Sequence, residues 1–255
     1  MRKIILFAAH EVGLRLVRGI AADPAVLAVV IHPSDPGGRN AEIAAACTVD
    51  AKPCLIWDGG PLSAALDYMR VNSPDLFILA WWPVRLSPET LNLPKLGTLN
   101  LHPSFLPWGR GKHSTFYALR DGEPFGVTIH WAVERLDAGD IAWQRQIRID
   151  PEDTSTTLIT AARESVIELF LECWPTIKDG EIPRNPNPLL RGSYHDSTEI
   201  EEASRIQLDQ CYSGRQFLNL LRARTCPPHP ASWFEQDGHR YEVRVEINPL
   251  PNLEP

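Results

Sequence analysis

The sequence lacks long apolar runs and any excess of positive charge. No stretch of its 255 residues approaches the ~20 consecutive apolar residues that a membrane-spanning helix needs. With 25 Lys and Arg against 32 Asp and Glu, the formal net charge is −7, which argues against nucleic-acid binding through basic patches. We therefore expect neither a membrane nor a nucleic acid as a partner.

Patterns for disulfides, metals and dinucleotides are also missing. The five cysteines are odd in number and widely scattered without CxxC spacing, so a reduced, cytoplasmic location is the simpler interpretation. No set of His, Cys and Asp residues has metal-ligand spacing, and we expect no metal. The first strand-to-helix turn, AAHEVG (residues 8–13), lacks the GxGxxG fingerprint, which leaves a nicotinamide site unsupported.

What is present predicts an α/β fold. An apolar content of 44% supports a sizeable core, and short apolar runs alternate with helical patterns in the first half. Strands separated by helices imply βαβ units, so we expect a Rossmann-like, mainly parallel open sheet with flanking helices. The predicted strands are Lys3–Ala8, Ala25–His32, Asp75–Ala80, Gly97–Leu101, Phe125–Val133 and Ile141–Ile149, and Thr156–Lys178 is predicted as one long helix.

The last quarter of the chain is predicted to form a separate small unit. We expect a main domain over residues 1–182, a linker over 183–192 in the proline-rich stretch IPRNPNPLL, and a C-terminal unit over 193–255. That unit should contain one helix and a β-hairpin, because Gln236-Asp237-Gly238 is a turn sequence suited to a hairpin. A helix and hairpin bury little alone, so the unit should pack on the main domain or on a partner chain.

The stretch LNLHPSFLPWGRG (residues 99–111) places an amide and an imidazole side by side. Asn100 and His102 lie two apart at the end of a predicted strand, so their side chains should share one face. In open α/β sheets, ligands gather at the carboxyl ends of the strands. Prolines stiffen the following loop, and Gly109 and Gly111 permit backbone bends that other residues avoid.

This pair suits an acyl-type transfer to an amine. An asparagine N–H can stabilise a developing oxyanion, and a histidine can move the proton or, when charged, support the oxyanion. A carboxylate should hold the imidazole, and LDAGD (residues 136–140) offers Asp137 and Asp140 just after the GVTIHW strand. His102 as a core histidine and Asp137 as a turn residue are the alternatives. For Asp140, a turn or network role is the better interpretation.

LNLHPSFLPWGRG, followed by GVTIH and LDAGDI, resembles the folate-dependent formyltransferases over roughly residues 75–175. The chain looks most like the sugar-nucleotide N-formyltransferases, which are related to the glycinamide ribonucleotide and methionyl-tRNA formyltransferases. The resemblance implies that Asn100, His102 and Asp137 form a catalytic triad. It also implies 10-formyltetrahydrofolate as the formyl donor and tetrahydrofolate as a product.

The resemblance places the folate on the loop after DLFILA. There the family meets the pterin ring mainly through backbone groups, and paired tryptophans suit a flat heterocycle. Core packing is the alternative for both tryptophans. The bulky WWPVR departs from the purine-pathway members and leaves individual side-chain contacts open. The implied cofactor-binding residues are Trp81, Trp82, Val84, Arg85, Leu86 and, from the later loop, Asp140.

The loop after the catalytic pair supplies candidate contacts for the acceptor. Arg110 and Lys112 could meet acceptor phosphates, or they could simply be solvated. His113 is close enough to touch an acceptor, although we expect His113 and His130 to serve structure. The candidate substrate-binding residues are Ser104, Trp108, Arg110, Lys112 and His113.

The tail favours one acceptor class. A tRNA formyltransferase should carry a complete C-terminal β-barrel and a basic surface, and a glycinamide ribonucleotide transformylase should stop soon after the long helix. The tail here, with the pattern LLRART (residues 220–225), resembles the helix-plus-hairpin tail of sugar N-formyltransferases, which commonly supports dimerisation. We expect a nucleotide-linked amino sugar as the acceptor and a homodimer. The alternatives are glycinamide ribonucleotide or methionyl-tRNA as the acceptor, or a non-catalytic folate-binding protein. The sugar, its amino position and the nucleotide stay open.

Overall fold

A seven-stranded sheet organises the fold. The computed structural model describes residues 1–35, 37–60 and 63–250. The sheet has the strand order β3-β2-β1-β4-β5-β7-β8, and the remaining strands form two small two-stranded ladders, β6-β9 and β10-β11. The strands are β1 (Ile4–Ala8), β2 (Val26–Ile31), β3 (Cys54–Ile56), β4 (Leu76–Ala80), β5 (Thr98–His102), β6 (Arg110–Gly111), β7 (Phe125–Trp131), β8 (Ile141–Ile147), β9 (Tyr194–His195), β10 (Ser232–Gln236) and β11 (His239–Val243).

The helices connect these strands. Their bounds are α1 (His10–Ile20), α2 (Asn40–Val49), α3 (Ala64–Asn72), α4 (Pro88–Leu91), α5 (Ser114–Asp121), α6 (Ser155–Asp179), α7 (Ile200–Ala203) and α8 (Gly214–Ala223). The residues that the helical spacing assigns to the core side of α6, among them Val166, Phe170 and Ile177, are fully buried. No helix in the described parts of the chain is both long and apolar enough to cross a bilayer.

The sheet is mostly parallel, which confirms the predicted α/β architecture. β1 pairs in parallel with β2 and β4, β4 pairs in parallel with β5, and β5 pairs antiparallel with β7. All five residues of β1 are buried. A strand that is covered on both faces has no polar side to alternate with, which explains its unbroken apolar run.

The strand order changes direction between β1 and β4. From β1 the chain builds outward through β2 to β3, and then returns to add β4 on the other side of β1. Connections on the two sides of such a point leave opposite faces of the sheet, and a crevice opens at the strand ends between them. The edge formed by the carboxyl ends of β1 and β4 is therefore a natural place for a ligand.

The chain divides into two units. The first contains residues 1–102, 127–145 and 163–187, and the second contains residues 103–126, 146–162 and 188–250. The domain boundary that we place at 183–192 stays a prediction, and residues 251–255 of the predicted C-terminal unit lie outside the described residues.

The second unit contains the predicted helix and hairpin. α8 begins with a capping box in which Ser213 and Gln216 each accept the other's backbone N–H. β10 and β11 pair antiparallel, and Asp237 and Gly238 have φ values of +51° and +75°, as a tight two-residue hairpin turn requires. The buried Trp233 lies 3.7 Å from the Arg240 guanidinium, which stacks on its ring.

Candidate active site

Four polar side chains share one face of two neighbouring strands. Asn100 and His102 lie two apart on β5, so both project from the same side. On the antiparallel strand β7, His130 is the register partner of Asn100, and Thr128 is the partner of His102. Directly opposed residues of antiparallel strands project to the same face, so the pairing brings an amide, two imidazoles and a hydroxyl together.

His130 orients the amide of Asn100. The Nδ1 of His130 lies 3.1 Å from the Trp131 carbonyl oxygen, and its Nε2 lies 3.1 Å from Asn100 Nδ2. A carbonyl oxygen can only accept, so Nδ1 carries the proton and donates to it. Nε2 then accepts an N–H from Asn100, which leaves the second N–H of that amide for another partner. The structural role expected for His130 stays a prediction, and the sequence did not predict this contact with Asn100.

Asp137 lies between the two imidazoles. Its Oδ1 is 3.7 Å from His102 Nδ1 and 3.5 Å from His130 Nε2, and its side chain is almost completely buried. The first distance exceeds an ordinary hydrogen bond and lies within ion-pair range for a charged imidazole. A carboxylate at this distance can form an ion pair with a protonated His102. The structure therefore brings together the three residues that the motifs predict as a triad.

The loop that follows β4 lies close to the loop that carries Asp137. Arg85 Nη2 donates to the Glu134 carbonyl oxygen at 2.7 Å. Leu86 is buried in the core, and Val84 is half-buried. Asp140 accepts the Trp131 N–H through its backbone oxygen at 2.8 Å, a contact that does not involve its side chain. The assignment of residues 81–86 and Asp140 to the cofactor stays a prediction.

Trp81 and Trp82 have different surroundings. Trp82 packs edge-on against Phe7 and His32, with ring centroids 5.2 and 5.5 Å apart, and so extends the core. Trp81 follows β4 directly with φ of +56°, a strained backbone for a non-glycine residue. Both indole N–H groups are buried without a hydrogen-bond acceptor in the described parts of the chain. A pterin has a flat face and ring acceptors at its edge, so this loop fits such a group.

A cationic cavity of about 470 Å³ opens where the strand order changes direction. It is lined by His10, which follows β1, by Trp81, which follows β4, and by three arginines. Burial lowers the pKa of His10, and the nearby Arg163 lowers it further against the opposite effect of Asp35. The complete lining is His10, Glu11, Arg15, Gly37, Arg39, Trp81, Arg163 and Glu164.

Carboxylates neutralise two of the three arginines. Arg15 pairs with Glu164 at 2.5 Å, and Arg39 pairs with Glu11 at 3.1 Å. Arg163 has no ion-pair partner in the described residues, and its Nε is buried without a hydrogen-bond acceptor there. No sequence motif reveals this cavity, because His10, Trp81 and Arg163 are far apart in the sequence. The change in strand order was the signal that points to it.

The five predicted substrate-binding residues belong to the second unit. Arg110 and Ser104 are buried, and the Arg110 guanidinium lies 5.8 Å over the Tyr194 ring, so the solvated-loop alternative does not hold for Arg110. Lys112 and His113 are exposed, and a solvated loop remains the simpler interpretation of Lys112. Trp108 is half-buried and stacks on the ring of the neighbouring Phe105.

Gly109 and Gly111 shape this loop as predicted. Both have positive φ, +65° and +89°. At Gly111 an added Cβ would lie 2.2 Å from the His195 carbonyl oxygen, because β6 pairs closely with β9 there. The loop therefore needs glycine at this position for backbone conformation and for space.

Two families match the chain. Residues 22–173, more than half of the sequence, match the family described as formyl transferase. Residues 199–249 match the family described as the N-formyltransferase dimerization C-terminal domain. The second match covers α7, α8 and the hairpin.

Individual relatives agree with these matches. The chain is 34% identical over 232 residues to a methionyl-tRNA formyltransferase from Thermotoga neapolitana, which covers 87% of this chain and 71% of the relative. A 4-N formyltransferase from Francisella tularensis has a TM-score of 0.81 at 21% identity, covering 98% of this chain and 99% of that chain. The formyltransferase PseJ from Anoxybacillus kamchatkensis, solved with UDP-4,6-dideoxy-4-formamido-L-AltNAc and tetrahydrofolate, has a TM-score of 0.58 at 24% identity, covering 86% and 97%.

An α/β enzyme in which an amide, an imidazole and a carboxylate meet beside one face of two neighbouring strands is the class of protein that the fold and the site define. The chain belongs to the formyl transferase family, and it is a folate-dependent formyltransferase.

Proposed function

We propose that this chain transfers a formyl group from 10-formyltetrahydrofolate to the amine of an amino sugar that is linked to a nucleotide. The observation that carries the chemistry is the meeting of Asn100, His102 and Asp137 around one face of β5 and β7. The cationic cavity at the ends of β1 and β4 supports an anionic acceptor.

Bound at residues 81–86, 10-formyltetrahydrofolate would supply the formyl carbon. The acceptor amine attacks that carbon, so a C–N bond to the acceptor forms and the C–N bond to the folate breaks. One proton leaves the acceptor nitrogen and one arrives at the folate nitrogen. Asn100 donates its second N–H to the developing oxyanion, a role worth about 3–4 kcal/mol in other enzymes. His102 supports the oxyanion and relays the proton, while Asp137 stabilises its imidazolium.

The acceptor must carry negative charge to use the cavity. Arginine is favoured wherever a phosphate is held, because its planar guanidinium can donate two hydrogen bonds at once. Arg163 is the cavity arginine without an ion-pair partner in the described residues, so a phosphate there would not have to displace a carboxylate. The nucleotide diphosphate of a sugar nucleotide meets this requirement.

Methionyl-tRNA is the second candidate acceptor. It is favoured by the relative from Thermotoga neapolitana, at 34% identity. Against it stands the formal charge of −7, since tRNA binding relies on neutralising phosphates with basic side chains.

A panel of acceptors tests the proposal. The chain is incubated with 10-formyltetrahydrofolate and a set of UDP-, dTDP- and GDP-linked amino sugars, with glycinamide ribonucleotide and methionyl-tRNA in parallel. Mass spectrometry should detect a formyl adduct on at least one amino-sugar nucleotide, and His102→Ala should abolish it. Formylation of methionyl-tRNA or glycinamide ribonucleotide alone would overturn the proposed acceptor class and leave the transfer chemistry intact.

We also propose that two copies of the chain associate through the C-terminal unit. The match to the dimerization family covers the hairpin, and a two-stranded hairpin buries little apolar surface by itself. Phe234 and Tyr241 stack across the two strands with ring centroids 5.1 Å apart, and Tyr241 is exposed. A stacked aromatic pair with one exposed ring on this element is a suitable centre for an interface.

A further inference from the structure

Asn187, in the proline-rich segment after α6, reaches back to the loop that carries Asp137. Its Nδ2 donates to the Asp137 carbonyl oxygen at 3.2 Å and to the Gly139 carbonyl oxygen at 3.3 Å. One side-chain amide therefore bridges two carbonyls on either side of the turn that follows Asp137. The IPRNPNPLL motif, read from the sequence only as a linker, places this residue there.

The loop that carries Asp137 needs hydrogen bonds from another segment because its backbone is strained. Asp137 has φ of +49°, in the left-handed region that non-glycine residues rarely adopt. At Gly139 an added Cβ would lie 1.9 Å from the Trp131 carbonyl oxygen, so the turn presses directly against the end of β7. Strained backbone of this kind costs of order 1–3 kcal/mol and persists only where surrounding contacts hold it.

The orientation of the Asn187 amide is fixed by what it faces. If the amide were flipped, its oxygen would point at two carbonyl oxygens, and neither could donate a hydrogen bond. In the observed orientation, Oδ1 is buried without a hydrogen-bond donor in the described residues. An unsatisfied buried acceptor costs about 1–3 kcal/mol. The two hydrogen bonds from Nδ2 to the loop therefore form despite this local destabilisation.

We infer that Asn187 is a positioning residue: by bridging the carbonyls of Asp137 and Gly139, it holds the Asp137 carboxylate at its place between His102 and His130. The inference rests on the proposed role of Asp137. The carboxylate is buried and within 3.7 Å of both imidazoles, so a small rotation of its backbone would move it away from His102. A displacement of about 1 Å from a catalytic geometry can cost on the order of 10²-fold in rate.

The test uses two substitutions and a matched control. Asn187→Ala removes the bridge, and Asn187→Asp keeps the size of the side chain while facing the two carbonyls with oxygens only. Both should lower kcat by about 10- to 100-fold and change the KM for 10-formyltetrahydrofolate less than threefold. Asn185→Ala is the control, because Asn185 lies on the same segment and its amide donates to the Ile141 carbonyl oxygen, where two backbone hydrogen bonds remain. Its kcat should stay within twofold.

A double-mutant cycle separates positioning from a merely structural role. In the Asp137→Asn background, Asn187→Ala should have almost no further effect on the residual rate, because there is no carboxylate left to place. A structural role would lower the rate by the same factor in both backgrounds. Thermal unfolding of each variant establishes that the compared proteins are folded.

A spectroscopic readout works without any acceptor. The His102 ring faces the Asp137 carboxylate and, edge-on, the His130 ring. The NMR signal of the His102 ring protons can be assigned because it is absent from the spectrum of the His102→Asn variant. Asp137→Asn removes the carboxylate that stabilises a protonated His102, so it should move the His102 titration midpoint to lower pH. Asn187→Ala should displace the same carboxylate, so it should move the midpoint in the same direction. Asn185→Ala should leave the midpoint unchanged.

The outcomes distinguish this inference from the proposed function. If Asp137→Asn keeps a normal rate, the catalytic role of Asp137 is wrong. If Asp137→Asn is impaired while Asn187→Ala keeps the wild-type rate and midpoint, the positioning role is wrong and the proposed function stands.

Discussion

Asn100 is the residue that tests the oxyanion role most directly. One of its N–H groups donates to His130, and the other is available for the reacting carbonyl. Replacing it with alanine removes a donor aimed at developing charge, so kcat should fall by about 10²- to 10³-fold. Initial rates at saturating donor and acceptor measure the effect. Asn92→Ala, at an exposed position after α4, is the control and should keep the wild-type rate. If Asn100→Ala keeps a kcat close to that of the wild type, Asn100 does not stabilise the oxyanion.

Arg163 tests the cavity as the place for the acceptor. Removing a guanidinium that binds phosphate should weaken the acceptor and leave the folate unaffected. Arg163→Ala should raise the acceptor KM about tenfold, with little change in the KM for 10-formyltetrahydrofolate. Arg18→Ala is the matched control, because Arg18 lies on α1 outside the cavity lining and pairs with Glu42. Equal changes in the two KM values would argue against a specific acceptor site.

Among the site residues, those that lie close together in the sequence could be predicted from it. Asn100 and His102 share a strand face by their spacing, and LDAGD follows the partner strand, so the three groups could be predicted from motifs. His130 could not, because its role depends on its register opposite Asn100. Asn187 and Arg163 were missed for the same reason: each approaches the site from a distant part of the chain.

At the scale of elements, Asp23 ties the turn after α1 to the last turns of α6. Its carboxylate accepts the Ala25 N–H at 2.9 Å, the Trp174 indole N–H at 3.0 Å and the Lys178 ammonium at 2.9 Å. Burial alone would raise the pKa of Asp23, but these donors outweigh it, so the pKa lies below its ordinary value of 3.8. The charged carboxylate therefore stabilises the fold.

Asp23→Ala should lower the free energy of unfolding at pH 7 by about 2–3 kcal/mol, because it leaves a buried indole N–H without its acceptor. The folded-state pKa is depressed, so the stabilisation is complete above the pKa of the unfolded chain and is lost as the pH falls through the folded-state pKa. Urea unfolding at pH 7 and near pH 3 should show the difference between wild type and variant shrinking at low pH.

Asp179→Ala is the control for this measurement. Asp179 is exposed and lies 4.0 Å from the amino terminus, so its removal should change stability by less than about 0.5 kcal/mol. A difference between Asp23→Ala and wild type that is independent of pH would show that the charge of Asp23 contributes nothing.

The elements that the sequence predicts well are those with a strong burial pattern. β1, β2 and β4 are almost entirely buried, and α6 has a long apolar face, so each was predicted within a few residues. β3 has three residues and is partly exposed, so the apolar run CLIW (residues 54–57) is too short to be recognised as a strand from its pattern. α5 was also missed, because it is short and begins after His113, whose φ of +59° breaks the helical pattern.

At the scale of the whole molecule, the C-terminal unit shows how a small element depends on its surroundings. One face of the hairpin places Trp233 under the stacked guanidinium of Arg240, so that face is already covered within the unit. The other face presents the stacked pair of Phe234 and Tyr241. Tyr241 is exposed on this face, and a two-stranded element with an exposed aromatic residue gains most from association with a second chain.

The dimer proposal makes Tyr241 the residue to change. Burying an aromatic side chain contributes about 1.5–3 kcal/mol, so placing a charge there should weaken self-association by at least tenfold. Tyr241→Glu should shift the sedimentation coefficient from that of a dimer to that of a monomer at micromolar concentration. Gln210→Glu adds the same charge at an exposed position of the same unit and should remain dimeric. A wild-type chain that sediments as a monomer, or a Tyr241→Glu variant that stays fully dimeric, would show that this hairpin face is not the interface.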